Sequence, residues 1–100
     1  MATFALVLEY DDQYMTKREP YAEGHMAHLQ AAIGRGEVLY AGAMMNEKGV
    51  PTGFIVFDVE DPAKVEDYAK TDPNVTGGVA TGYKVQVWYG IHGPGAVQPG

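Results

Sequence analysis

The segment Arg18-Glu19-Pro20-Tyr21-Ala22-Glu23-Gly24-His25-Met26-Ala27-His28-Leu29 opens the most strongly marked helix of the chain and gathers most of its chemically versatile side chains. Pro20 suits a first helical position, because its φ is already helical and its missing N–H is not needed there. Ala22, Met26, Leu29 and Ile33 recur at spacings of four, three and four, which predicts one apolar helical stripe. Tyr21, His25, His28 and Ala32 repeat that spacing one position earlier and form a second stripe beside the first. A histidine on this second stripe sits at the edge of a buried face, half in protein and half at a cleft. Gly34-Arg35-Gly36 ends the helix, with glycine available for the left-handed terminal conformation.

On the N-terminal side, Ala2 to Tyr10 alternates as a strand, with Phe4, Leu6, Leu8 and Tyr10 on one face. Asp11-Asp12-Gln13 breaks it, and Tyr14 to Glu19 is a polar approach coiled toward the helix. On the C-terminal side, Glu37 to Met45 predicts a strand with Val38, Tyr40, Gly42 and Met44 on one face and Leu39, Ala41, Ala43 and Met45 on the other. Asn46 to Thr52 is turn chemistry, and Gly53 to Val59 a third strand. Asp61 as N-cap and Pro62 as first residue start a second helix to about Lys70, burying Val65, Tyr68 and Ala69. Thr71 to Gly82 reads as irregular, and Tyr83 to Tyr89 as the last strand. Residues 1–90 are therefore expected to form one domain, and 91–100 a Gly/Pro-rich tail.

The order β-α-β-β-α-β is that of an α+β, ferredoxin-like fold. Two helices cover only one face of its sheet, yet the strands are apolar on both: Phe54 and Val56 oppose Ile55, Phe57 and Val59. An uncovered apolar face needs an occupant, and a second copy packed sheet against sheet is the expectation. The net charge of -6, with seven Lys and Arg scattered along the chain, offers no basic face for nucleic acid. The absence of cysteine removes disulfides and thiolate chemistry and suits a cytoplasmic protein. No apolar run approaches the roughly 18 residues of a membrane span. The opening Met1-Ala2-Thr3-Phe4 lacks the basic start of a secretory leader.

Several motifs in this order resemble the YciI-like family of dimeric α+β barrels, a class that also contains muconolactone isomerases. They are Arg18 seven residues before His25, His25-Met26-Ala27-His28-Leu29, Gly36-Glu37-Val38-Leu39-Tyr40-Ala41-Gly42, and Thr71-Asp72-Pro73 ahead of the final strand. The resemblance implies an active-site pair of His25 and Asp72 with Arg18 as the neighbouring cation. It also implies a cofactor-independent activity, best understood as chloride removal from a chlorinated hydroxyhydroquinone to yield a hydroxyquinone. The chain departs from the family at Ala43-Met44-Met45, where proline often follows Ala-Gly, and at Asn74, where an aromatic often follows Asp-Pro.

Each of these residues admits a plainer role. An imidazole can take and give a proton near neutrality, and a carboxylate on its second nitrogen fixes its tautomer. Alternatively, His25 is a satisfied boundary histidine and Asp72 caps a turn before Pro73. Arg18 either holds a phenolate or enolate oxygen or pairs at the surface with Glu19 or Glu23. His25 and His28, with His92 from the tail, fall short of the three well-placed ligands a transition metal usually needs, so no metal is expected. Tyr21, His28, Tyr40 and Met44 are candidates to line a pocket for a planar ring, against packing as the alternative. The expected partner is a small aromatic or quinone-type substrate. A ring isomerase of the muconolactone type and a non-catalytic ligand- or protein-binding module remain the competing readings.

Overall fold

Period-two alternation builds four strands, and the computed structural model, which describes residues 2–89, joins them in one antiparallel sheet. The elements are β1 (Ala2–Glu9), α1 (Tyr14–Lys17), α2 (Ala22–Gly34), β2 (Val38–Met45), β3 (Pro51–Val59), α3 (Pro62–Thr71), α4 (Pro73–Thr76) and β4 (Gly82–Val87). The strand order is β2-β3-β1-β4, with the two chain-adjacent strands β2 and β3 forming a hairpin at one edge. The tail from 91 onward, including His92, lies outside the described residues. Among the described residues no helix is long and apolar enough to cross a membrane.

One face of the sheet carries the core. Phe4, Leu6 and Leu8 of β1 lie opposite Phe57, Ile55 and Gly53 of β3. Ala32 of α2 and Val65, Tyr68 and Ala69 of α3 close over them. Asp61 caps α3 by accepting from the Ala63 N–H at 2.9 Å, with Pro62 next, as the residue types predict. Gly36 ends α2 at φ +76°. Its N–H bonds Ile33 O and that of Glu37 bonds Ala32 O, a paired closure that a residue with a Cβ would strain.

Four local expectations give way. Pro20 does not begin the long helix: it sits in a turn after α1, closed by Tyr21 N–H to Arg18 O at 2.9 Å, and α2 starts at Ala22. A proline cannot donate back to Thr16, so one continuous helix through both segments is interrupted there. The Met26 and Ile33 stripe is not the buried one; both are about half exposed, and Ala32 of the histidine stripe is the fully buried residue of α2. In β2 a bulge inserts Leu39, because Val38 pairs with Phe57 and Tyr40 with the next residue, Val56. The bulge reverses the alternation, so Val38, Ala41, Ala43 and Met45 share the helix-covered side and Tyr40, Gly42 and Met44 the other. Finally, Thr71 to Gly82 is not wholly irregular: α4 makes one turn at Pro73–Thr76, with Asp72 as its N-cap.

Candidate active site

The site begins at the junction of α2 and α4. Two glycines let these helices approach: a Cβ on Gly24 would lie 3.2 Å from Cγ of Pro73, and one on Gly77 only 2.5 Å from Cζ of Tyr21. With the helices in contact, His25 Nδ1 lies 2.8 Å and 3.0 Å from the two carboxylate oxygens of Asp72. Asp72 is fully buried, and its Oδ1 also accepts from the Asn74 N–H at 2.9 Å. One carboxylate thus caps α4 and holds the imidazole, so the turn-cap role and the pairing role coexist.

Since a carboxylate only accepts, Nδ1 of His25 carries the hydrogen, and Nε2 of the neutral ring is left with its lone pair. No described residue bonds that Nε2. The ring is partly exposed and forms part of the wall of a cavity of about 280 Å³ between the sheet and α2. Ala41 and Ala43 of β2 are too short to fill the space under Met26 and Leu29, and Gly53 of β3 lets Leu8 and Tyr10 pack directly on its backbone at the cavity wall. Tyr10 and Tyr14 add an aromatic corner, their rings edge to face at 4.7 Å. The volume suits a single-ring ligand, at the small end of the range for ligand pockets.

Tyr10 is the second polar group of this wall. Its hydroxyl oxygen accepts from Asn74 Nδ2 at 3.1 Å. Burial, together with the nearby Asp72 charge, pushes its phenol up to about 12, so it stays protonated in neutral solution. Sequence reading placed Tyr10 only at a strand end and left Tyr14 in a polar approach. The one available signal was Asn74, two residues beyond Asp72 where the resembled family often has an aromatic.

The remaining expected residues lie elsewhere. The Arg18 guanidinium stands over the Tyr14 ring, 5.7 Å from its centroid, and Nη1 is 3.8 Å from Met15 Sδ. Arg18 is not among the residues that line the cavity. Tyr21 packs on the backbone of Gly77. His28 points away from His25, donating from Nε2 to Tyr68 O at 2.9 Å and stacking on the Tyr68 ring at 4.2 Å. Tyr40 and Met44 line a separate apolar hollow on the opposite face of the sheet, with Phe54 and Trp88. None of Tyr21, His28, Tyr40 and Met44 lines the His25 cavity. Among the described residues no group of three or more His, Asp or Glu is placed to hold a metal ion.

A family model described as the YCII-related domain matches residues 2–89. Among solved structures, the chain is similar to 5-chloro-2-hydroxyhydroquinone dehydrochlorinase (TftG) from Burkholderia phenoliruptrix AC1100, determined in complex with 2,5-dihydroxybenzoquinone. The TM-score is 0.72 at 16% sequence identity, over 86% of this chain and 92% of that one, a likeness of fold. No protein of curated function matches the sequence significantly.

Proposed function

We infer function from the premise that the chain belongs to the YCII-related domain family, whose model spans residues 2–89. We propose that it is a cofactor-independent enzyme acting on a small hydroxylated aromatic ring. The observation that carries this reading is the His25 imidazole held by both oxygens of buried Asp72, with its other nitrogen unengaged beside a ring-sized cavity. His25 acts as general base and acid, and Asp72 orients it and stabilises the imidazolium that forms. Arg18 contributes at one remove, as a positive charge over the ring of Tyr14.

The specific reaction is dehydrochlorination of a chlorinated hydroxyhydroquinone, supported by the family and by the fold it shares with a dehydrochlorinase. Nε2 takes a ring hydroxyl proton and returns it to the carbon that bears chlorine. The C–Cl bond then breaks with its electron pair while a second hydroxyl gives up its proton. The products are a hydroxyquinone, chloride and one proton. Ring oxidation is balanced by loss of the carbon–chlorine bond, so no external oxidant enters.

The apolar outer face, with Tyr40 and Met44 more than half exposed, belongs in this reading to a homodimer packed sheet against sheet. A cysteine-free chain suits cytoplasmic chemistry. The test is chloride release from a chlorohydroxyhydroquinone, followed with a chloride electrode. The parent should release it catalytically and His25→Ala should not. Equal rates in the two would remove His25 from the reaction, and no release by either would leave the muconolactone-type isomerisation or simple ligand binding as the activity to assay.

A further inference from the structure

We propose that Tyr10 is the second substrate-engaging group of the cavity, a neutral donor to a ring oxygen, and that Asn74 is its positioning residue. The proposal rests on the reading of His25 as the base and extends it to the substrate, which must carry a second oxygen able to accept.

The bond between Asn74 and Tyr10 sets the direction of the phenol. Asn74 is buried, with 2% of its surface exposed, and its Nδ2 donates to the Tyr10 oxygen at 3.1 Å. Its Oδ1 has no partner. With a lone pair taken by Asn74, the Tyr10 hydrogen is directed away from that amide, and no acceptor among the described residues receives it. The ring itself lines the same cavity as His25. A polar hydrogen without a protein acceptor, in a cavity wall, is a site for an acceptor on the ligand.

The two positioned groups share one support. Asp72 holds His25, and Asn74, two residues later on the same turn, holds Tyr10. The Asn74 backbone N–H bonds Asp72, and its carbonyl accepts from the Ala80 N–H at 2.7 Å, which anchors the turn on both sides. A base and a donor fixed to one short turn keep a constant separation. The ring would present its ionising hydroxyl to His25 and a second oxygen to Tyr10. As the first proton leaves, charge spreads through the ring onto that oxygen, where a preorganised donor lowers the barrier. The phenol remains protonated at neutral pH and so can serve in this way. This is the anion-stabilising task that the family resemblance implied for Arg18.

A cycle between ligand and residue tests the assignment. Affinities for 2,5-dihydroxybenzoquinone and for phenol, which has a single oxygen, are measured by calorimetry on the parent, Tyr10→Phe and Asn74→Leu, each first shown to fold by circular dichroism. The expected result is about a tenfold loss of quinone affinity in Tyr10→Phe, with phenol binding unchanged. Asn74→Leu should lose less, and the double variant no more than Tyr10→Phe, because Asn74 acts through the phenol. Equal weakening of both ligands, or none, would overturn the role of Tyr10 while leaving the His25 reading intact. A parent that binds neither ligand would overturn the underlying reading and this one with it. If Tyr10→Phe does not fold, the Asn74→Leu arm decides: unchanged discrimination between quinone and phenol refutes the proposal.

Discussion

Asp72 performs two tasks with one carboxylate, and substitutions separate them. Asn caps a helix about as well as Asp, so Asp72→Asn should keep the bond to the Asn74 N–H while losing the fixed acceptor for His25. The expected outcome is a fall in chloride release of about 10²–10⁴ with a thermal midpoint close to the parent's. Asp72→Ala removes both tasks and should also melt earlier, the cap alone contributing about 1 kcal/mol. Equal melting of the two variants would mean that the carboxylate does not cap α4. Tyr10 gives the residue scale a pH signature. The unfolded phenol ionises near 10, whereas the folded one holds its proton to about 12. The folded state therefore keeps this stabilisation below pH 10 and loses it as pH rises from 10 to 12, by about 2–3 kcal/mol at most. Tyr68 and Tyr83 are shifted in the same direction, Tyr68 by burial first and Tyr83 by its hydrogen bond to Glu66. Tyr10→Phe should thus flatten the alkaline loss of stability in denaturant titrations without abolishing it.

At the scale of elements, the pairing of His25 with Asp72 depends on how closely α2 and α4 pack. Gly77 carries the ring of Tyr21 directly on its backbone, and a methyl group there would fall 2.5 Å from Cζ. Gly77→Ala should therefore displace Tyr21 and destabilise the protein by about 1–3 kcal/mol, measured by urea unfolding. The penalty should largely vanish in a Tyr21→Ala background, because the two sites share one contact. Full additivity would refute the packing argument. The bulge at Leu39 matters in the same way. By reversing the alternation of β2 it turns Ala41 and Ala43, instead of larger side chains, toward α2, and this is how the cavity stays open.

For the whole molecule, a sheet covered on one side is the ground of the proposed homodimer. The outer face presents Tyr40, Met44 and Trp88 around an apolar hollow. The parent should sediment near twice its 10.8 kDa chain mass at micromolar concentration, and Tyr40→Glu with Met44→Glu should shift it toward the monomer. A monomeric parent would refute the homodimer. Much of this fold was legible in the chain. The order of strands and helices follows from apolar periodicity, the start of α3 from Asp61-Pro62, and the end of α2 from Gly36, each a local preference that a short window records. The family motifs pointed to His25 and Asp72 as partners. Other features were not legible, because each is decided by what a segment meets. The burial of the histidine stripe depends on α2 resting against α3 and α4, and the slip at Leu39 depends on the register imposed by β3. The turn α4 is stabilised by a carboxylate whose other partner lies 47 positions away. Local propensity by itself determined the elements and their succession. Only tertiary structure decided that the imidazole meets the buried carboxylate and shares one cavity wall with Tyr10, because contacts between distant residues are set by packing and not by any spacing along the chain.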